Sequence, residues 1–143
     1  MAGHDRVVRD NVHRDIVLDD DISRLVDTRT FQRLRDVKQL ATCHYVFPTA
    51  THTRFVHSLG AQHLAGVLLE HLEKVNPGRI TPEDARLVRY AALLHDIGHP
   101  PFSHALENDR VFANYHHHEK WGRMILEDPD NDLRQVLIEL VGE

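Results

Sequence analysis

The chain has 143 residues, a net charge of -5, 41% hydrophobic residues and 27% charged residues, which fits one ordinary globular domain and excludes a disordered chain. The acidic balance argues against a dedicated nucleic-acid binder, whose contact face is basic. With Cys43 as the only cysteine, a charged N-terminus that lacks the apolar core of a signal peptide, and no run near the roughly 18 apolar residues of a membrane span, neither a disulfide nor a membrane is expected, and the protein reads as cytoplasmic.

Residues 1–20 read as an irregular or weakly extended lead-in that holds the short apolar pieces Val7-Val8 and Ile16-Val17-Leu18, without a hairpin signal. Helical spacing begins at Ile22 and continues through Leu25, Val26, Phe31, Leu34 and Val37 to a break near Thr42, and Val46-Phe47-Pro48 ends regular structure. The basic run Arg29, Arg33, Arg35 and Lys38 reads as a solvated helix face, with contact to a phosphate or a partner as the alternative. A long helix is expected from about Arg54 to Val75, burying Phe55, Leu59, Leu64, Leu68 and Leu72 and stopped by Asn76-Pro77-Gly78. Thr81-Pro82-Glu83-Asp84 is a helix start, with a capping hydroxyl, proline at the first position and acid in the first turn. That helix carries Leu87, Val88, Ala91 and Leu94 and is expected to end at Gly98, ahead of Pro100-Pro101. Another begins near His118, with Trp121, Met124 and Ile125 as its apolar face and Trp121 as core. After the acidic loop at 128–131, Leu133, Val136, Leu137 and Leu140 mark one more. The fold class expected is all-α, a single helical bundle over 1–143.

Thirteen histidines stand out. His95 and Asp96 follow the apolar run Ala91-Ala92-Leu93-Leu94, so they sit at the edge of a core. A buried carboxylate without a partner costs several kcal/mol, so a cation or hydrogen-bond donor is expected beside it. The dipeptide alone means little, since His4-Asp5 has the same letters in the tail. His57, within Arg54-Phe55-Val56-His57-Ser58-Leu59-Gly60, supplies a companion from a separate helix. Two imidazoles and a carboxylate converging in a bundle core hold a metal while leaving positions open for water and substrate. His44, His52, His63 and His71 read as structural or solvent-facing.

The string His95-Asp96-Ile97-Gly98-His99-Pro100-Pro101-Phe102-Ser103-His104 carries a resemblance. So do Phe31-Gln32-Arg33-Leu34-Arg35, Lys38-Gln39-Leu40, Tyr45-Val46-Phe47-Pro48 and the segment around His57. Together, from about Asp10 to Trp121, they resemble the HD-domain deoxynucleoside triphosphate triphosphohydrolases, dGTP triphosphohydrolases among them. The resemblance implies an HD-domain bundle with one divalent ion, of manganese, iron, magnesium or zinc, on His57, His95 and Asp96 as three of four ligands. It places His104 and Glu107 near the scissile phosphate, although the family's animal members tend to have aspartate at the latter position. It gives His118 a part in proton transfer, Arg54 a phosphate contact, Gln39 a contact on the deoxyribose side and His99 a place in the pocket. The reaction implied is dNTP plus water to deoxynucleoside plus triphosphate, by attack at the α-phosphorus, in a homo-oligomer whose ligand is a nucleotide. The family's fourth ligand is an aspartate on a much later helix, whereas Asp128, Asp130 and Asp132 lie in the acidic loop. An N-terminal portion of a catalytic domain is therefore expected, the alternative being an incomplete module that binds nucleotide or a partner without turnover. An HD phosphohydrolase of nucleoside monophosphates or cyclic nucleotides fits less well with Gln39 and Tyr45-Val46-Phe47-Pro48.

Overall fold

The computed structural model, which describes residues 5–102 and 117–142, opens on a β-hairpin where an irregular or weakly extended lead-in is expected. β1 (Arg6–Asp10) pairs antiparallel with β2 (Arg14–Leu18), in register from Arg6 opposite Leu18 to Asp10 opposite Arg14. The Asp10 carboxylate accepts from the amides of Val12 and His13 and closes the turn, and Arg14 takes up the left-handed φ of 65°. Strand alternation decides what β2 buries: Ile16 and Leu18 enter the core while Asp15 and Val17 face outward. The all-α expectation is thereby corrected to a mostly helical fold with one two-stranded ribbon.

The helical stretch expected from Ile22 to Thr42 is three pieces. α1 (Asp20–Val26) starts where the Asp19 side chain accepts from the Ile22 amide, and α2 (Arg29–Gln32) starts where Thr28 does the same for Phe31. A 3-10 turn over Arg33–Asp36 follows. Each cap satisfies amides that a continuing helix would not leave free, so the break at Asp27-Thr28 is built in. Asp132 adds a cap from far along the chain: its carboxylate accepts from the Arg29 amide at 2.5 Å and from the Thr30 hydroxyl at 2.6 Å. That carboxylate ties α2 to the last helix and serves as a structural cap.

α3 (Arg54–Val75) and α4 (Pro82–Leu94) pack on one another, and α4 begins with the capping box between Thr81 and Asp84 that its sequence announces. α5 (His118–Glu127) and α6 (Asp132–Val141) start where expected. The core gathers Ile16, Leu18, Ile22, Leu25, Phe31, Leu34, Phe55, Leu59, Leu93, Ile97 and Leu133. Three expected faces need correction. On α3 only Phe55 and Leu59 of the stripe are buried, and Leu64, Leu68 and Leu72 lie exposed, because the helix runs on beyond the core. On α4 the buried side is Tyr90, Leu93 and Leu94, with Leu87 and Val88 outside, and the helix ends at Leu94 rather than Gly98. Trp121, expected in the core, is 40% exposed. Among the described residues no helix is long and apolar enough to cross a membrane.

Candidate metal centre

The centre forms where the first turn of α3 meets the end of α4. A single bridge between Lys38 and Thr53 fastens the chain ahead of α3, through Gln39 N–H to His52 O at 3.1 Å and Arg54 N–H to Val37 O at 2.8 Å. This fixes Gln39 beside the α3 N-terminus and sets Arg54 and His57 facing α4. At the other side His95 is the C-cap of α4 and Asp96 lies in the turn that follows.

His57 Nε2 and His95 Nε2 stand 3.2 Å apart, with the rings edge to face. Asp96 Oδ1 is 3.3 Å from His95 Nε2, and Asp96 Oδ2 is 3.7 Å from His57 Nε2. The Nδ1–H of His95 donates to Ala92 O at 2.9 Å, which leaves the Nε2 lone pair facing His57. At this distance one imidazole can donate to the other, or both can turn their Nε2 lone pairs to a shared cation. Donors around a tetrahedral ion with bonds of about 2.0–2.1 Å sit about 3.3 Å from each other, so the spacing fits a metal.

Protonation suits the same use. Burial alone pushes the Asp96 carboxyl up, but the His99 hydrogen bond and the charges of His95 and Arg54 outweigh it and hold Asp96 well below the usual carboxylate range. Burial pushes the His57 imidazole down, against the pull of Asp96 and with the help of His95 and Arg54. An ionised carboxylate and a neutral imidazole are the forms that ligate.

Around this cluster stand further residues expected in the site. Arg54 is buried and donates from Nη1 to Asp96 Oδ2 at 2.6 Å, the two side chains being 2% and 9% exposed. Gln39 Nε2 lies 3.4 Å from the same oxygen. His99 Nε2 is 3.3 Å from Asp96 Oδ1, and the His99 ring stacks on His118, with centroids 3.8 Å apart and planes 17° from parallel. Burial pushes the His99 imidazole down, opposed by its bond to Asp96. Among the described residues, the buried Gln39 Oε1 and Arg54 Nε have no hydrogen-bond partner. Buried polar atoms left bare are costly, so these suit a bound ligand. The expected positions His104 and Glu107 lie outside the described residues.

Three residues were missed as parts of the site. Gly98 was read as a helix stop, yet a Cβ there would fall 2.1 Å from His118 O and 2.2 Å from Gly122 N. Its lack of a side chain lets the first turn of α5, with His118, lie directly on the ligand turn. Gly122 is the partner in that contact. Arg33 was read with a solvated basic face, but it points inward and donates from Nη1 to His99 O at 2.9 Å and from Nη2 to Ile97 O. The glycines left a faint signal, one beside the His-Asp pair and one on the His118 helix; Arg33 stands in the basic run and in the segment 31–35, neither of which names its acceptors.

The HD domain family matches residues 54–143. An uncharacterized protein of Methanocaldococcus jannaschii is 46% identical over 118 residues, covering 82% of this chain and 23% of its own length. The deoxynucleoside triphosphate triphosphohydrolase SAMHD1 homolog of Dictyostelium discoideum is 40% identical over 125 residues, 84% of this chain and 24% of its own. The human deoxynucleoside triphosphate triphosphohydrolase SAMHD1 is 46% identical over 103 residues, 71% of this chain and 16% of its own. The chain thus spans less than a quarter of the length of each of these relatives. The matched region opens at the first residue of α3 and takes in His57, His95 and Asp96 together, and the chain belongs to the HD-domain family.

Proposed function

We propose that this chain is the metal-binding part of a phosphohydrolase that cleaves deoxynucleoside triphosphates to deoxynucleoside and triphosphate. The observation that carries the reading is the pair of imidazole Nε2 atoms 3.2 Å apart over an ionised Asp96. His57, His95 and Asp96 would hold one divalent ion, of manganese, iron, magnesium or zinc. Such an ion supplies positive charge for phosphate oxygens and lowers the pKa of water.

The remaining roles belong to the chain's own groups. Arg54 orients Asp96 and offers its free Nε–H to a phosphate oxygen. Gln39 Oε1 accepts from a hydroxyl on the sugar side, which removes the cost of leaving it bare. His118, held by its stack on His99, delivers the proton that the departing 5′ oxygen takes when its bond to the α-phosphorus breaks and water adds there. His104 and Glu107 are assigned to the surroundings of the scissile phosphate by resemblance. The names of the Dictyostelium and human relatives support the choice of substrate. A nucleotide is the proposed ligand, and a cytoplasmic homo-oligomer the proposed state.

One observation favours a second reading, a module that binds nucleotide without turnover: Arg54 already engages Asp96 Oδ2, and the cluster has three donors among the described residues. Incubation of the purified chain with each dNTP and manganese separates the two. Release of triphosphate supports hydrolysis, nucleotide binding without product supports the second reading, and the lack of both defeats them together.

A further inference from the structure

We infer that Arg33 is a positioning residue that holds the turn from Asp96 to His99 in the shape its ligands need. The inference rests on the metal reading above. Within the turn, Ile97 N–H bonds to Leu94 O at 3.0 Å and His99 N–H to Asp96 O at 3.1 Å, which secures its amides. The carbonyls of Ile97 and His99 are the acceptors that Arg33 takes, Nη1 at 2.9 Å on His99 O and Nη2 on Ile97 O. These two carbonyls flank Gly98, and the residues that own them alternate with Asp96 and Gly98 along the turn.

A planar guanidinium bridges two carbonyls at once, a geometry that an ammonium on a flexible stem does not reproduce. The charge also lies at the C-terminal end of α4, where a helix favours a cation. Among the described residues no carboxylate pairs with Arg33, and burial pushes its pKa down. A guanidinium that gives up water to hold two backbone oxygens is there for the backbone. Through those oxygens it fixes where Asp96 Oδ1 and His99 Nε2 meet, 3.3 Å apart. Loss of such an outer support costs about 10- to 100-fold in metal affinity in known metal sites.

The test measures manganese binding by titration calorimetry on the full chain, at a temperature where circular dichroism shows each protein folded. Arg33→Ala is expected to weaken binding about tenfold or more. Millimolar guanidinium chloride, far below denaturing levels, should restore much of that affinity, whereas sodium chloride at equal ionic strength should not. A purely structural role would lower the melting temperature without this rescue. Should Arg33→Ala fail to fold, Arg33→Lys keeps the charge and stem and is expected to bind several-fold more weakly than wild type. Wild-type affinity in Arg33→Lys, or in folded Arg33→Ala, overturns the inference alone. Absence of manganese binding by the wild type overturns the inference and the metal reading together.

Discussion

Replacing Gly98 by alanine places one methyl group where two backbones meet. The new Cβ would lie 2.1 Å from His118 O, 2.2 Å from Gly122 N and 2.7 Å from Gly122 Cα, against an ordinary contact of 3.4 Å or more. All three neighbours are backbone atoms and have no rotamer to escape into. The first turn of α5 must therefore back away by about 1.3 Å, the gap between 3.4 and 2.1 Å. Overpacking of this kind costs about 1–3 kcal/mol. Taking ~2 kcal/mol and a domain of this size, the melting temperature should fall by roughly 7 °C. The same retreat pulls His118 off His99, so any triphosphate release should drop while manganese affinity at His57, His95 and Asp96 changes little. Gly122→Ala is the control, because among the described residues its Cβ would meet nothing closer than 3.6 Å. As a glycine inside a helix it should gain up to about 1 kcal/mol from propensity. Calorimetric melting of both variants checks the argument, and equal melting temperatures for Gly98→Ala and wild type would refute it.

Three further outcomes follow from buried polar pairs. Asp96→Ala removes a ligand and leaves the 2%-exposed Arg54 side chain without its partner, so metal binding should vanish and chemical denaturation should show a loss of about 3–5 kcal/mol. Because the Asp96 pKa is lower folded than unfolded, its contribution is complete above the usual carboxylate pKa of about 4 and is lost as pH falls below it. Acid unfolding should thus be shallower in Asp96→Asn than in wild type below that pH. Tyr90 donates to Asp21 at 2.6 Å, and burial first, then this bond, raises its pKa. Its contribution is whole below the unfolded tyrosine pKa of about 10 and declines as pH rises past it. Tyr90→Phe should cost about 1 kcal/mol at neutral pH and flatten alkaline melting; an unchanged alkaline limb would count against the bond.

Helix starts were the most legible part of the chain. Thr81-Pro82-Glu83-Asp84 names its own cap, and the last two helices begin at His118 and Asp132, where their apolar spacing sets in. The ligands were legible for a related reason: His95 and Asp96 follow an apolar run that must be core, and His57 lies on the only long helix upstream of it. The hairpin was hidden because its turn is Asn11-Val12-His13, with no glycine, and Asp10 closes it through its side chain. Burial on α3 was misread because periodicity gives a face, and how far the neighbours extend along that face is a tertiary fact. Arg33 shows the same limit: a side chain meeting carbonyls more than sixty residues away has no local pattern.

The bond between Arg54 and Asp96 also decides what the pocket attracts. One guanidinium cancels one carboxylate there, so a bound divalent ion would add its two positive charges to a pair that is already neutral. Under the proposed function, a nucleotide should therefore bind more tightly after the ion than before it.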